Sequence, residues 1–214
     1  GLSAMARKFQ TLFSMILSLC MFVGIPSAQS TLQSIEKLTV FSIDQMLGTI
    51  ETEYCTAFSI NKLQGYWLTA GHCKGDGYII GEQKDIREIR FDKSLDLMIL
   101  FGPRVEALRW ESRTPKAGDE IHLSGYLEAM DILWTVYGKV VFPLVSNIEG
   151  DYWPSNMVLD VQSGGGMSGG PVFSKRGRVI SVHQGGWYTR TGNKFSLDAP
   201  YAVVKTFTEN MWDR

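Results

Sequence analysis

The sequence has no excess of charge of either sign. Its 21 Lys and Arg residues nearly balance its 22 Asp and Glu residues, so the formal net charge is −1 at pH 7. Bulk electrostatics therefore give no reason to expect a nucleic-acid partner. The sequence also lacks internal repeats, and 44% of its residues are hydrophobic and 12% aromatic. These features exclude fibrous and disordered chains and favour a folded, turn-rich protein.

Cysteine and histidine are scarce, with three of each. Their spacing matches neither C-x-x-C nor H-x-x-x-H, so we expect no zinc site, no other metal and no cofactor. Cys20 lies within an apolar N-terminal stretch, which leaves Cys55 and Cys73 as a pair. A disulfide between these two becomes reasonable if the protein is exported to an oxidising compartment.

Long uncharged runs are missing except near the start of the chain. Two basic residues precede residues 9–25, which carry no charge and are followed by a proline and small residues. This pattern is typical of a secretory signal peptide over residues 1–30, cleaved after Ser30 or after Ala28. The stretch also reaches the lower limit for a membrane span, so an uncleaved anchor is the alternative. We expect a secreted or periplasmic protein, membrane-anchored if residues 9–25 are retained.

The rest of the chain reads as short β-type runs separated by turns. Two groups of about six strands each predict an all-β fold of two antiparallel barrels or sandwiches, over residues 31–108 and 109–214. Residues 109–119 are polar and predict a linker, and apolar residues at helical spacing predict a C-terminal helix from about Ala202, packed on the second barrel. The predicted strands are 38–43, 55–60, 66–69, 77–80, 86–91, 97–101, 120–124, 134–142, 156–161, 171–173, 179–184 and 195–197.

Three segments carry residues suited to nucleophilic catalysis. His72 ends the apolar run in "YWLTAGHC", Asp96 opens the apolar strand in "SLDLMIL", and Ser168 lies among the glycines of "GGGMSGGP". A nucleophilic serine needs a base to take its proton and a carboxylate to orient that base. Asp92 is the alternative carboxylate, although Asp96 directly precedes the apolar run. The N–H groups of Gly166 and Ser168 would bind the oxyanion, since glycine permits the backbone angles that this requires.

These segments resemble the signature segments of the chymotrypsin-fold serine proteases, and the resemblance extends from about Val40 to Phe207. The resemblance implies two antiparallel six-stranded β-barrels with the active site between them. In that family a disulfide joins the strand before the catalytic histidine to the residue after it, which here implies a bond between Cys55 and Cys73. The closest likeness is to the bacterial glutamyl endopeptidases, carried by "GDEIHLSGY" and "RVISVHQGGW". Met167 stands where digestive proteases carry an aspartate that pairs with the new N-terminus on activation, so the resemblance implies that this switch is missing.

The same branch suggests a specificity pocket. There, a histidine and a hydroxyl residue bind the acidic side chain before the scissile bond, and the matching residues are His183 and Ser163. Gln162 replaces the aspartate that selects Lys or Arg in trypsin-like enzymes, so a preference for Glu or Gln is implied. The strand that ends at Gly185 would pair with the extended substrate. The alternative for His183 is a structural histidine in the core of the second barrel.

The resemblance therefore implies a serine endopeptidase that acts on proteins or peptides through a Ser/His/Asp triad and an acyl-enzyme, as a monomer. One alternative is a viral or phage protease of the same fold that processes a polyprotein and is held at a membrane by residues 9–25. Another is a catalytically inactive homologue that binds proteins in the same groove. The presence of all three catalytic residue types argues against the inactive homologue.

Overall fold

The computed structural model describes residues 33–128, 130–146, 154–189, 192 and 194–213. The signal peptide or anchor predicted for residues 1–30 lies outside these described residues. Within them, twelve strands and one α-helix form two six-stranded antiparallel sheets, which confirms the predicted all-β class. In the same ranges, no helix is long and apolar enough to cross a membrane.

The first sheet is a curled half-barrel. Its strands are β1 (Ile35–Asp44), β2 (Thr49–Asn61), β3 (Tyr66–Ala70), β4 (Gly77–Ile80), β5 (Arg87–Asp92) and β6 (Leu97–Phe101). Their order is β4-β1-β2-β3-β6-β5, so β4 and β5 are edge strands and this sheet differs from the closed barrel expected from the sequence. The chain turns back after β4, where Ile80 and Gln83 exchange backbone hydrogen bonds. This turn ends β4 after four residues, before it can pair with β5.

The second sheet closes into a barrel. Its strands are β7 (Glu120–Tyr126), β8 (Leu133–Ser146), β9 (Ser155–Leu159), β10 (Pro171–Ser174), β11 (Val179–Tyr188) and β12 (Lys194–Asp198). The ring order is β10-β11-β12-β9-β8-β7, and β7 closes on β10 where Leu123 pairs with Val172. Closure depends on β8, which pairs with β7 along its first half and with β9 along its second. Register shifts at Phe142 and Val145 interrupt its pairing with β9, and such irregularities bend a strand.

β6 lies between two cores, which explains its continuous apolar sequence. Met98 and Leu100 pack inside the first sheet, whereas Leu97 and Ile99 face a cluster shared with the second barrel. A strand buried on both faces needs apolar residues at every position rather than at alternate ones. Asp96, directly before this strand, therefore lies next to the contact between the two sheets.

The C-terminal helix α1 (Tyr201–Phe207) completes the shared cluster. It begins after Pro200, and it buries Tyr201, Val204 and Phe207. It was predicted to pack on the second barrel, and Arg90 of the first sheet also donates a hydrogen bond of 2.6 Å to the carbonyl of Phe207. Each apolar side chain fully buried in such a cluster contributes roughly 1.5–3 kcal/mol. The helix thus helps to hold the two sheets together.

The polar segment 109–119 is fastened to the second barrel near its start. Trp110 forms a parallel bridge with Val179, and the side chain of Glu111 is almost fully buried. That carboxylate accepts hydrogen bonds from the hydroxyl of Ser174 at 2.8 Å and from Arg176 at 3.2 Å. The other charged residues of the segment are exposed, as expected for a linker.

Candidate active site

His72 lies just after β3, in a 3₁₀ turn over Gly71–Cys73. The turn is pressed against the start of β6, since a Cβ on Gly71 would stand 2.8 Å from the backbone nitrogen of Leu97. Glycine is therefore required before the histidine, and this close approach brings His72 beside the residue that precedes β6. The side chain of His72 is 43% exposed, so one side of the ring faces solvent.

Asp96 is in direct contact with His72. Its Oδ1 accepts the backbone N–H of His72 at 2.5 Å, and its Oδ2 lies 2.9 Å from Nδ1 of the ring. The carboxylate is almost fully buried, with 3% of the side chain exposed. A buried carboxylate at Nδ1 keeps a proton on that nitrogen and leaves Nε2 as the basic atom of the ring.

The backbone of Asp96 is strained and is supported from the second barrel. Its φ is +52°, a left-handed conformation that costs a non-glycine residue about 1–2 kcal/mol. The side-chain amide of Gln184 donates to the carbonyl of Leu95 at 2.8 Å and to that of Asp96 at 3.4 Å. The sequence gives no sign of this role for Gln184, because nothing local marks a glutamine on β11 as a partner of a loop 88 residues away.

Asp92, the alternative carboxylate, has a different role. Its Oδ1 accepts hydrogen bonds from the N–H of Ser94 at 2.9 Å, from the hydroxyl of Ser94 at 2.7 Å and from the N–H of Leu95 at 3.1 Å. These hydrogen bonds lower the pKa of Asp92 below the usual value for aspartate. Asp92 therefore builds the turn that leads into Asp96, and Asp96 is the carboxylate that faces His72.

Ser168 lies in the glycine-rich loop between β9 and β10. The N–H of Met167 donates to the carbonyl of Gly164 at 3.2 Å, and this closes a turn in which Gly166 has a φ of +92°. Only glycine readily adopts that conformation at this turn position. The hydroxyl of Ser168 lies 3.4 Å from the carbonyl of Gln184, so the side chain is directed towards β11.

Four consecutive carbonyl groups of this loop are held by hydrogen bonds. The carbonyl of Gly165 accepts the N–H of Glu128 at 2.8 Å, and that of Met167 accepts the N–H of Gly170 at 2.9 Å. In a trans peptide the N–H and C=O groups point in opposite directions. The N–H groups of Gly166 and Ser168 share their peptides with the carbonyls of Gly165 and Met167. Because hydrogen bonds hold these two carbonyls, the two N–H groups are held pointing the other way. The carbonyls of Gly166 and Ser168 are held by a single residue of the first sheet.

That residue is Thr56, which is fully buried. Its N–H donates to the carbonyl of Ser168 at 2.8 Å and its hydroxyl to the carbonyl of Gly166 at 2.9 Å. Its hydroxyl also accepts the N–H of Tyr126 at 2.9 Å, and its own carbonyl accepts the hydroxyl of Thr69 at 2.8 Å. Sequence reasoning missed Thr56, although its position next to the predicted disulfide cysteine was a usable signal.

The loop meets the first sheet where only glycine fits. A Cβ on Gly169 would stand 2.1 Å from Oγ1 of Thr69 and 2.2 Å from the carbonyl of Thr56, and Gly169 has a φ of +86°. On its other side, the N–H of Gly169 donates to the carbonyl of His183 at 2.8 Å. The residue after Ser168 is thus clamped between the strand that leads to His72 and the strand that carries His183.

The disulfide expected from the resemblance is present. Cys55 and Cys73 are bonded, with their Cα atoms 6.3 Å apart. The bond joins the residue before Thr56 to the residue after His72, and Sγ of Cys73 lies 4.0 Å from the carbonyl of Ser168. The structure therefore joins His72 to Asp96 directly, and the carbonyl of Ser168 contacts Cys73, the residue after His72.

Met167 is a core residue. It is 1% exposed and belongs to the apolar cluster of the second barrel. A Cβ on Gly125 would stand 2.9 Å from the Cα of Met167, so β7 passes directly against this part of the loop. An apolar side chain is suited to this position, because an unpaired charge here would lose its hydration.

His183 is buried and hydrogen-bonded within the second barrel. Its Nδ1 lies 2.9 Å from Oδ1 of Asp198 and 2.9 Å from the hydroxyl of Ser196, which itself donates to Oδ2 of Asp198 at 2.7 Å. All three side chains are at most 2% exposed. Burial raises the pKa of Asp198 above the usual value for aspartate, although its hydrogen bonds to His183 and Ser196 oppose that shift. Asp198 and Ser196 were not singled out from the sequence.

The other predicted pocket residues lie around the end of β11. Ser163 is partly buried, and its hydroxyl would be 3.9 Å from a Cβ on Gly186, whereas Gln162 is exposed. Gly185 lies at a register shift between β11 and β12 that begins at His183. Ser163 and Gly185 are therefore in the same region as His183, and Gln162 faces solvent.

The third histidine, His122, has a structural environment. Its ring stacks on Phe173 with 4.7 Å between ring centroids, and burial lowers its pKa. In the part of the chain that the structure describes, no group of three or more His, Cys, Asp or Glu side chains is arranged to hold a metal ion.

Comparison with known proteins gives a likeness of fold. No model of a known protein family matches the sequence, and no curated protein matches it either. Among solved structures, the chain is similar to the active form of the Rv3671c protease from M. tuberculosis, with a TM-score of 0.66, 18% identity, and coverage of 90% of this chain and 87% of that one. It is also similar to the serine endoprotease from Yersinia pestis, with a TM-score of 0.65, 16% identity, and coverage of 83% and 62%.

An inactive serine-to-alanine mutant of the M. tuberculosis protease matches as well, with a TM-score of 0.64, 18% identity, and coverage of 87% of this chain and 91% of that one. At such identities the likeness establishes a shared fold alone. The chain therefore has the two-sheet fold of chymotrypsin-like serine proteases, and its activity has to be argued from its own residues.

Proposed function

We propose that the chain is a serine endopeptidase in which Ser168 is the nucleophile, His72 the general base and Asp96 the carboxylate that orients His72. The observation that carries this proposal is the buried contact of Asp96 with Nδ1 of His72 at 2.9 Å. It supports a basic Nε2, which is the nitrogen that a neighbouring serine hydroxyl requires.

In this mechanism, Nε2 of His72 takes the hydroxyl proton of Ser168 as Oγ attacks the peptide carbonyl. Asp96 stabilises the imidazolium that forms, and His72 then gives the proton to the leaving amine. The acyl-enzyme that remains on Ser168 is hydrolysed by water, which His72 activates in the same way.

The N–H groups of Gly166 and Ser168 would bind the oxyanion. Support comes from the hydrogen bonds at the carbonyls of Gly165 and Met167, which orient those two N–H groups before any substrate arrives. Donors that need no reorganisation stabilise developing charge most effectively, and the loss of one typically costs about 3 kcal/mol of activation free energy.

We further propose a preference for Glu or Gln before the scissile bond, read by His183 and Ser163 as in the glutamyl endopeptidases that the sequence resembles. The position of His183 beside the serine loop supports this assignment, because its carbonyl accepts the N–H of Gly169, the residue after Ser168, at 2.8 Å. Because Gln162 stands where trypsin-like enzymes carry an aspartate, the pocket lacks the negative charge that a Lys or Arg side chain would need. The edge of β11 at Gly185 would pair with the substrate backbone.

The nucleophile is tested with a fluorophosphonate probe on the wild type and on Ser168→Ala. Labelling of the wild type, with loss in the folded variant, is the expected result. Ser174→Ala is a matched control, because that hydroxyl binds Glu111 and should leave labelling unchanged. A folded wild type that is not labelled would refute the enzyme and favour a protein-binding homologue.

The pocket is tested by profiling a peptide library with the wild type and with His183→Ala. The wild type should cleave after Glu or Gln, and the variant should lose that preference more than it loses total activity. An identical profile in both proteins would remove His183 from specificity and leave it as a structural histidine.

We also propose that the protein is exported and acts as a monomer on proteins or peptides. The Cys55–Cys73 disulfide supports export, because such bonds persist in oxidising compartments. Mass spectrometry of the mature N-terminus separates cleavage after Ser30 or Ala28 from an anchor retained at residues 9–25.

A further inference from the structure

The side chains behind His183 form a buried three-membered cluster that the proposed mechanism does not use. We propose that Asp198 and His183 act as one proton-holding unit, whose proton count decides whether the pocket accepts a carboxylate or only an amide side chain. This inference rests on the proposed function, since it takes His183 to face the substrate.

Both side chains that contact the His183 ring by hydrogen bonds do so at Nδ1. Asp198 and Ser196 both contact Nδ1, and Ser196 donates its own proton to Asp198. The oxygen of Ser196 is thus left as an acceptor towards Nδ1. A proton therefore lies between Nδ1 and these oxygens, and the other ring nitrogen, Nε2, is separated from them by the width of the ring.

Counting protons gives two forms of the pair. With one proton, that proton lies between Nδ1 and the carboxylate, and Nε2 carries a lone pair that repels an acidic side chain and accepts an amide N–H. With two protons, Nε2 carries an N–H, whichever of Nδ1 and Asp198 holds the other proton. This N–H donates equally well to a carboxylate or to an amide carbonyl.

Burial favours the form with two protons. The one-proton form leaves a net negative charge on a site whose Asp198 is fully buried, whereas the two-proton form is neutral overall. The raised pKa of Asp198 is consistent with that cost. Within the described residues, His183 is the charged group that interacts with Asp198. The elements packed around the pair contribute the neutral Ser196 and the backbone of Gly169 and Gly170.

The two forms give different pH dependences for two matched substrates. Cleavage after Gln should not decline at alkaline pH, because an amide pairs with either form of Nε2. Cleavage after Glu should fall there, as the pair loses its second proton and Nε2 can no longer donate. The Gln profile therefore serves as an internal control for the pH dependence of the catalytic step itself.

The decisive variant is Asp198→Asn, which keeps the shape of the side chain and removes its charge. Ser196 donates to one oxygen of this side chain, so the NH₂ group of an asparagine would face Nδ1 and donate to it, and the neutral ring would carry its proton on Nε2. The descending limb for Glu should therefore disappear, and each pH unit above the wild-type limb should raise cleavage after Glu relative to Gln by about tenfold over the wild type. Ser196→Ala keeps the carboxylate, so its Glu to Gln ratio should stay within about threefold of the wild type.

A purely structural role would affect these variants differently. If the cluster only ties β11 to β12, both variants lose stability, but the Glu to Gln ratio of kcat/KM and the descending limb of the Glu profile remain unchanged. That result would overturn the inference. An equal change of the ratio in both variants also overturns it, because packing would then explain the effect.

If Asp198→Asn does not fold, the wild-type profiles still decide, since a Glu profile without a descending limb contradicts the inference. Failure of the proposed function looks different. A folded wild type that does not react with a fluorophosphonate probe refutes the peptidase itself. A reactive wild type that prefers neither Glu nor Gln leaves the peptidase intact and refutes only the role of this pair.

Discussion

Thr56→Val is the perturbation that best tests how the serine loop is organised. Valine has nearly the shape of threonine but lacks the hydroxyl that donates to the carbonyl of Gly166 and accepts the N–H of Tyr126, both at 2.9 Å. The substitution leaves these two backbone groups unpaired in a site where Thr56 is fully buried. Each group left without a partner costs roughly 1–3 kcal/mol of folding free energy.

The effect on catalysis follows from where the Gly166 carbonyl lies in the loop. It belongs to the peptide between the two proposed oxyanion donors, and its release allows the turn around Gly166 to reorient. Complete loss of one oxyanion donor costs about 3 kcal/mol of activation free energy. Thr56→Val should lose only part of this, which corresponds to a decrease in kcat of roughly 10- to 100-fold. KM should change less than about twofold, because the oxyanion contact exists only in the transition state.

The assay compares the wild type with Thr56→Val and Thr56→Ser on one peptide substrate, well below each protein's Tm. Affinity for a peptide aldehyde, which forms a tetrahedral adduct on the serine, should fall in parallel with kcat/KM in the valine variant. Serine restores the hydroxyl and should recover most of both quantities. A folded valine variant with wild-type kcat, or a serine variant as impaired as valine, would refute this role for Thr56.

Three further predictions concern other parts of the site. Asp96→Asn should lower kcat about 10³- to 10⁴-fold through the wrong tautomer of the base, whereas Asp92→Asn, which keeps a turn-forming side chain, should stay within about threefold in the same steady-state assay. Gly169→Ala should abolish activity or folding, because its Cβ would stand 2.1 Å from a neighbouring oxygen. Gly177→Ala is the control, since Gly177 also has a positive φ, of +72°, but nothing within 4 Å of the added Cβ. It should cost only about 1–2 kcal/mol of folding free energy in a denaturant titration. Replacing both disulfide cysteines with serine should cost about 3 kcal/mol for a loop closed over 18 residues, and a loss below about 0.5 kcal/mol would contradict this.

The strands could be read from the sequence because their signals are local. β4 and β6 were predicted with their observed bounds, since apolar runs bounded by turn residues define them. Nine other strands were located to within four residues, whereas β2 begins six residues before its predicted start. The closure of each sheet could not be read in this way. It depends on the bend in β8 and on the turn after Ile80, and both are set by pairing between distant strands.

The sequence by itself determined the segments around His72, Asp96 and Ser168, because each needs glycine or apolar neighbours that lie next to it in the chain. Only the tertiary structure decided that Asp96 rather than Asp92 faces His72, and that Thr56, Gln184 and Asp198 support the site. These are buried polar residues, and each has a partner far along the chain, at 110, 88 and 15 residues respectively. A buried polar group must find a hydrogen-bond partner somewhere in the fold, but the chain around it does not say where.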